Sequence, residues 1–542
     1  MKTNTVSGQF VDLNSREIYP AEVHIAEGKI KSVTKVESAA EQFIIPGFVD
    51  AHVHIESSML TPSEFARLAV VHGTVATVSD PHEIANVLGL KGVEFMIENG
   101  SKVPLKFNFG APSCVPATIF ETAGAEIDAE GVRELLEKDE VKYLAEMMNW
   151  PGVLHQDPMV MEKIKIAHDL GKPVDGHAPG LKGEQAKQYA SVGISTDHEC
   201  FTKEEALDKL AAGMKILIRE GSAAKNFEAL IDLMGEHADK LMFCSDDKHP
   251  DELAEGHINQ LCARAVAKGF DVFDVLIAAC ENPVKHYKLD VGLLKEGDAA
   301  DFVLVEDLKN FHVINTYING ELVAENGYAN FGSVEAKEIN QFDAVPTEPA
   351  DFVINKTSEE LRVIEVLDGE LITKKIIAEG KEVEGKLVAD TESDLLKIAV
   401  LNRYSPSKPA VAFIKNFGLK TGAIASSVAH DSHNIIAVGT SDEALSEVIN
   451  LLIEQKGGVA AWTDTVYKLL PLPIAGLLTN ADGLEVAEAY ASIDLMAKEM
   501  GSKLRAPFMS LSFMALLVIP AIKLSDKGLF DAEKFEFIDV NV

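Results

Sequence analysis

Apolar positions in the first half of the chain fall into short, nearly unbroken runs, each closed by a polar or acidic residue. Between the runs the apolar period lengthens to that of an amphipathic helix. The runs predict strands at Phe43–Val49, Gly73–Ser79, Leu105–Phe109, Val141–Met147, Pro173–His177, Gly193–His198, Met214–Ile218 and Leu241–Cys244. Continuous apolar character is what a parallel sheet covered on both faces demands. Helical stretches such as Pro62–His72, Glu83–Asn99, Pro158–Leu170, Ala223–Gly235 and Asp251–Lys268 separate them. Eight strand–helix units in about 250 residues predict an α/β chain built on a (β/α)8 barrel of the TIM type. An open doubly wound sheet is the second choice, weakened because no G-x-G-x-x-G follows the first strand.

Shorter alternating runs with turns flank that stretch: FVDLNSREIYPAEVHIAEGKIKSVTKV before it, GLLKEGDAADFVLVE and TYINGELV after it. They predict a small β domain split between residues 1–42 and 286–334, around a barrel at 43–285. Over 335–542 the texture changes to strands with turns, then mixed strand and helix, a further α/β domain.

Charge narrows the partners. With 85 acidic and 50 basic residues the formal net charge is −35, which repels phosphate polymers and anionic membrane surfaces. Nucleic acid and membrane are excluded, and a small uncharged or cationic molecule is the easier substrate. No run approaches the ~18 apolar residues of a membrane span. The segment MKTNTVSGQF lacks the apolar core of a secretion signal. Five cysteines, Cys114, Cys200, Cys244, Cys262 and Cys280, contain no C-x-x-C pair and read as reduced thiols. The expectation is a soluble, cytoplasmic protein.

Chemistry gathers where the strands end, which is where barrels carry their active sites. In FIIPGFVDAHVHIESS the first run breaks into His52 and His54, which strand parity puts on one face. KYLAEMMNW contributes Glu146, KPVDGHAPG contributes His177, GISTDHEC contributes His198, and KLMFCSDD contributes Asp246 and Asp247. Imidazoles and carboxylates converging on one rim suit two divalent cations sharing a carboxylate and a water. Glu146 is the natural bridge, with a carboxylated Lys142 as the alternative, set deeper in the same strand. His82 and Glu83 follow the second strand at the same rim, and His249 follows the eighth. All three are candidates to line a substrate pocket.

At these residues the chain resembles the amidohydrolase superfamily and, within it, the bacterial adenine deaminase family. The likeness rests on HVHIESSML, SDPHEIANVLG, AEMMNWPGV, DGHAPGL, TDHEC and CSDDKHP, and outside the barrel on ASSVAHDSHNIIAVG. It implies that His52, His54 and Asp246 hold one metal, His177 and His198 the other, with Glu146 between them. It also implies manganese before iron or zinc, and hydrolysis of adenine to hypoxanthine and ammonia by a hydroxide bridging the metals. The implied setting is purine salvage by a cytoplasmic homo-oligomer, dimer or higher. Asp246 would shuttle the proton from hydroxide to the departing amine. Ring N1 would be addressed by Glu83, with His82 and His249 behind it. The turn carrying His430, Asp431, His433 and Asn434 reads as a loop over the barrel mouth or a further metal site on one side, or as a hydrogen-bonded turn that fixes domain packing on the other, with the lid slightly ahead. Rival readings are a cyclic-amide hydrolase of the dihydropyrimidinase or hydantoinase type, and a non-catalytic barrel scaffold. The zinc base-deaminase signature is half matched by His54-Ile55-Glu56, but no P-C-x-x-C exists in the chain.

Overall fold

A computed structural model describes residues 3–542. Both flanks of the chain build one eight-stranded sheet, in spatial order Tyr328–Ala329, Glu321–Glu325, Val313–Ile318, Phe302–Val305, Phe43–Pro46, Thr3–Asp12, Glu17–Ala26 and Lys29–Lys35. Phe43–Pro46 is the seam: it runs parallel to Thr3–Asp12, with Gln9 opposite Phe43, and antiparallel to Phe302–Val305. The apolar run read above as one strand, Phe43–Val49, is therefore two, and residues 43–46 belong to the split domain, not to the barrel. Gly47 makes the corner. A Cβ there would lie 2.3 Å from Val75 Cγ1, so only a glycine passes over the second barrel strand. Periodicity cannot register such a break when both halves are buried.

Eight parallel strands follow: Phe48–Val53, Thr74–Ser79, Lys106–Ala111, Val141–Met147, Val174–Gly176, Thr196–Asp197, Lys215–Arg219 and Leu241–Cys244. They pair as a run of five and a run of three. Single parallel bridges, Val174 with Ile194 and Val53 with Asp246, join the runs into a ring. The fifth and sixth strands are shorter than the apolar pattern predicts. Side chains take over their backbone bonds: His177 N–H donates to Tyr189 Oη at 3.0 Å and Ala178 N–H to Asp197 Oδ2 at 2.9 Å.

A second eight-stranded, mostly antiparallel sheet runs Thr373–Glu379, Glu360–Val366, Ala410–Lys415, Leu395–Leu401, Ile435–Gly439, Ala423–Ser426, Gly458–Trp462, Tyr467–Pro471. Period-two alternation gives it two apolar faces. Ala399, Leu401, Ala425 and Ala437 pack with Leu445, Val448 and Leu452 of the helix Asp442–Gln455. That helix is capped by Ser441, whose Oγ accepts Ala444 N–H at 3.1 Å. Ile398, Val400, Ile424 and Val438, on the other face, join the apolar cluster that includes Val53, Ile84 and Val87 of the barrel. The C-terminal domain is thereby docked over the barrel's carboxyl rim. Among the described residues no helix is long and apolar enough to cross a membrane.

Candidate active site

The ladder that closes the barrel runs through the residues at issue. Asp246 N–H donates to the His52 carbonyl at 2.9 Å and His54 N–H to the Asp246 carbonyl at 3.3 Å, so the first and eighth strands meet at these three. Their side chains converge. Asp246 Oδ1 lies 3.4 Å from His52 Nε2 and 3.2 Å from His54 Nε2, and the two Nε2 atoms are 3.1 Å apart. Glu146 ends the fourth strand opposite them. Its Oε2 is 2.8 Å from His177 Nδ1, 3.0 Å from His198 Nε2 and 3.9 Å from His52 Nε2, while Oε1 is 3.7 Å from His54 Nε2. One carboxylate thus touches both groups of imidazoles. Lys142 does not reach them; its Nζ donates to the Asp139 carbonyl at the other end of the strand, at 2.6 Å.

This donor set fits divalent cations. His54 Nδ1 faces the Asp80 carbonyl at 3.1 Å, which puts its proton on Nδ1 and leaves the Nε2 lone pair pointing at Asp246 and His52. His177 Nε2 is buried without a hydrogen-bond partner, and His198 Nε2 faces Glu146 Oε2 at 3.0 Å without the alignment of a hydrogen bond. Burial opposes a charge on His177, yet Glu146 and Glu199 draw its imidazole up to about 9. Burial also pushes Glu146 up, but His177 and His198 outweigh it and hold the carboxyl well below the usual range. The carboxylates demand positive charge in the ring, from protons or from metal.

Asp246 has a second holder. Its Oδ2 accepts from Arg219 Nη1 at 2.8 Å, and the same guanidinium pairs with Glu199. Against burial, which favours protonation, Arg219 and the two histidines keep Asp246 ionised. Glu199 in turn stands 3.5 Å from His198 Nε2 and 3.7 Å from His177 Nδ1.

His82 and Glu83 open a helix, His82–Leu88, one layer further out. His82 Nδ1 lies 3.3 Å from Asp80 Oδ2 and 3.5 Å from Glu146 Oε1, and its Nε2 lies 3.3 Å from Glu83 Oε1. Glu83 Oε1 accepts from His430 Nδ1 at 2.5 Å, and Oε2 meets His433 Nε2. Burial would protonate Glu83; His430, His82 and His433 hold it well below the usual carboxylate range. The third member of the pocket trio, His249, packs edge-on against Tyr490, ring centroids 4.5 Å apart, and burial pushes it down to about 3.

Four neighbours escape a reading of strand ends: Asp80, Glu199, Arg219 and Asp431. Arg219 is the last residue of the seventh strand, but the apolar run stops at Ile218 and an arginine looks like the polar exit to solvent. Asp80 and Glu199 each sit one residue beyond or beside a named position, in SDPHEI and TDHEC. Asp431, 3.9 Å from His82 through Oδ1, comes from another domain and carries no periodic signal at all.

Known families and proteins align with the chain along its whole length. The model of the amidohydrolase family matches residues 43–323, and that of the adenine deaminase C-terminal domain matches residues 370–536. A protein of Salinibacter ruber named adenine deaminase is 55% identical over 537 residues, covering 99% of this chain and 98% of the relative. One of Sulfurovum sp. with the same name is 54% identical, covering 99% of each chain. One of Methanosarcina mazei is 52% identical, covering 98% of each. The two family matches fall on the barrel side and on the domain docked over its rim.

Proposed function

Since the chain belongs to the adenine deaminase family, we propose that it hydrolyses adenine to hypoxanthine and ammonia. The observation that carries this reading is likeness to adenine deaminases over the full length, C-terminal domain included. A cyclic-amide hydrolase accounts for neither that domain nor a glutamate as the bridge, and an inert scaffold does not account for the filled donor set.

His52, His54 and Asp246 are assigned to one divalent cation, His177 and His198 to the other, and Glu146 to both. Two such ions, manganese first by family likeness and iron or zinc after it, would lower the pKa of a water towards neutral and offset charge built up in the reaction. The chain supplies the rest. Asp246 takes the proton from the attacking water and returns it to the amine at C6, which leaves only as ammonia. Arg219 fixes Asp246 by its far oxygen, so that Oδ1 does this work. Glu83 addresses ring N1; a carboxyl there donates after taking up a proton, which His82, its Nε2 3.3 Å from Glu83 Oε1, supplies. His82 flanks Glu83, and the neutral ring of His249 belongs to the pocket wall. The excess of carboxylates around the site favours an uncharged base over a phosphorylated one.

Metal-reconstituted protein given adenine, adenosine and cytosine is the test, with ammonia followed and bound metal counted. Ammonia from adenine alone, at two metals per chain, is expected; turnover of adenosine in its place, or full activity without metal, overturns the reading. The same reading places the protein in cytoplasmic purine salvage as a homo-oligomer, and light scattering at the monomer mass of 58.7 kDa would reject the oligomer.

A further inference from the structure

The turn of residues 427–434 lies between two strands of the C-terminal sheet, yet His430 and His433 both end on the carboxylate of Glu83, some 350 residues earlier in the chain. Each takes a different oxygen. His430 Nδ1 donates to Oε1 at 2.5 Å, and His433 Nε2 meets Oε2. The tautomer of His433 is set by its own backbone: Nδ1 accepts the Ala429 N–H at 3.1 Å, which leaves the ring proton on Nε2, against Glu83. One oxygen is held by a hydrogen bond and the other by a close nitrogen–oxygen contact, and engagement at both oxygens restrains a carboxylate about its last bond.

The holders are themselves fixed. His433 sits in the left-handed region at φ 54°, sparsely populated for a residue with a Cβ. Its N–H donates to the Ala429 carbonyl at 2.7 Å, and its carbonyl accepts from the buried guanidinium of Arg403 at 3.3 Å. Tyr404 Oη donates to the Ser432 carbonyl at 2.6 Å, and Asn434 Nδ2 to the Thr122 carbonyl of a barrel loop at 2.9 Å. The His430 ring stacks on Phe513 at 4.9 Å. Its Nε2 is buried and without a hydrogen-bond partner. So many ties on one short turn exceed what packing two domains together requires.

We infer that His430 and His433 are positioning residues, through which the C-terminal domain fixes the Glu83 carboxylate for its work on the substrate ring. The inference rests on the deaminase reading above. It makes the active site complete only when both domains are docked, and it separates the turn from a mere cover over the barrel.

The two histidines use opposite ring nitrogens, and that gives the test. An asparagine amide nitrogen reaches where Nδ1 stands, a glutamine amide nitrogen where Nε2 stands. Removing one hydrogen bond to a charged group, as in His430→Ala or His433→Ala, is expected to lower kcat/KM for adenine by about 10- to 100-fold with the metal count unchanged. His430→Asn and His433→Gln should recover most of that loss, while His430→Gln and His433→Asn should not. A packing role would rank the amides by volume, in the same order at both positions; that result overturns the inference. So does activity of both alanine variants within about 2-fold of wild type, well under the worth of such a bond. A third metal equivalent that disappears with either histidine also overturns it, replacing a clamp by a metal site. Failure of the wild-type protein to release ammonia from adenine rejects the function reading itself, and is seen before any variant is compared.

Discussion

Asp246 and Glu83 are both buried carboxylates at the barrel mouth, each held by nitrogen at both oxygens, but their holders come from different places. Asp246 is gripped by His52, His54 and Arg219, all at ends of barrel strands, and its own backbone closes the ring. Glu83 is gripped by two histidines of another domain. The first arrangement follows from strand register alone. The second exists only through docking, which the apolar face of the C-terminal sheet drives. The holders differ chemically as well. A guanidinium never gives up its proton near neutral pH, so the charge beside Asp246 is constant, whereas an imidazole titrates. Both carboxylates are held in place, but one lies beside a fixed charge and the other beside an adjustable one.

The largest effects are expected on the fixed side. Glu146→Gln removes the one group that touches both sets of imidazoles, and should abolish turnover together with two-metal loading, read by metal analysis and ammonia release. An unchanged metal count would remove Glu146 as the bridge. Asp246→Asn keeps an oxygen for the metal but cannot carry a proton. It should retain metal while turnover falls by about 100- to 10,000-fold, the usual worth of a positioned proton-transfer group. Retained turnover would remove Asp246 as the shuttle.

Arg219 offers a smaller and more discriminating step. Arg219→Met leaves Asp246 and Glu199 buried without their cation, a type of change that costs about 3–5 kcal/mol of stability, and a lowered melting temperature is expected. Arg219→Lys keeps the charge but loses the planar fork that reaches two carboxylates at once. We expect it to fold and to lose roughly 10-fold in kcat/KM, about the worth of one charged hydrogen bond. Equal activity of Arg219→Lys and wild type would mean that Asp246 needs only a nearby positive charge and no orientation.

The two carboxylates also mark how far the sequence could be read. His52, His54, Glu146, His177, His198 and Asp246 are legible because they stand where apolar runs stop, and strand ends in a barrel share one rim. The corner at Gly47 is not, since a buried strand of one sheet continuing into another leaves the apolar pattern unbroken. Arg219 is hidden for the opposite reason: a charge fully buried by two acids looks, in sequence, like a residue leaving the core. The meeting of Glu83 with His430 and His433 depends on how two domains pack, and no local period encodes that. Motif likeness drew attention to SVAHDSHNIIAVG but left its partner open; geometry supplies Glu83.

The contrast between constant and titrating holders leads to the smallest effect. Burial disfavours a charge on His430, but Glu83 and Asp247 outweigh it and raise its imidazole to about 9, from roughly 6.5 in an unfolded chain. A histidine whose folded pKa is raised contributes stability that is fully present below the unfolded value and is lost as pH rises through the folded one. The melting temperature of wild type should therefore exceed that of His430→Asn most clearly near pH 6. The gap should shrink between about pH 6.5 and 9 and vanish above. Its size should be several degrees, up to what about 3 kcal/mol moves in a chain with domains of this length. The matching gap for Arg219→Lys should stay level over the same range, because neither cation titrates there. A His430 gap that is equally flat would mean that its bond to Glu83 is one between neutral partners, and the distinction between a fixed and an adjustable charge would fall with it.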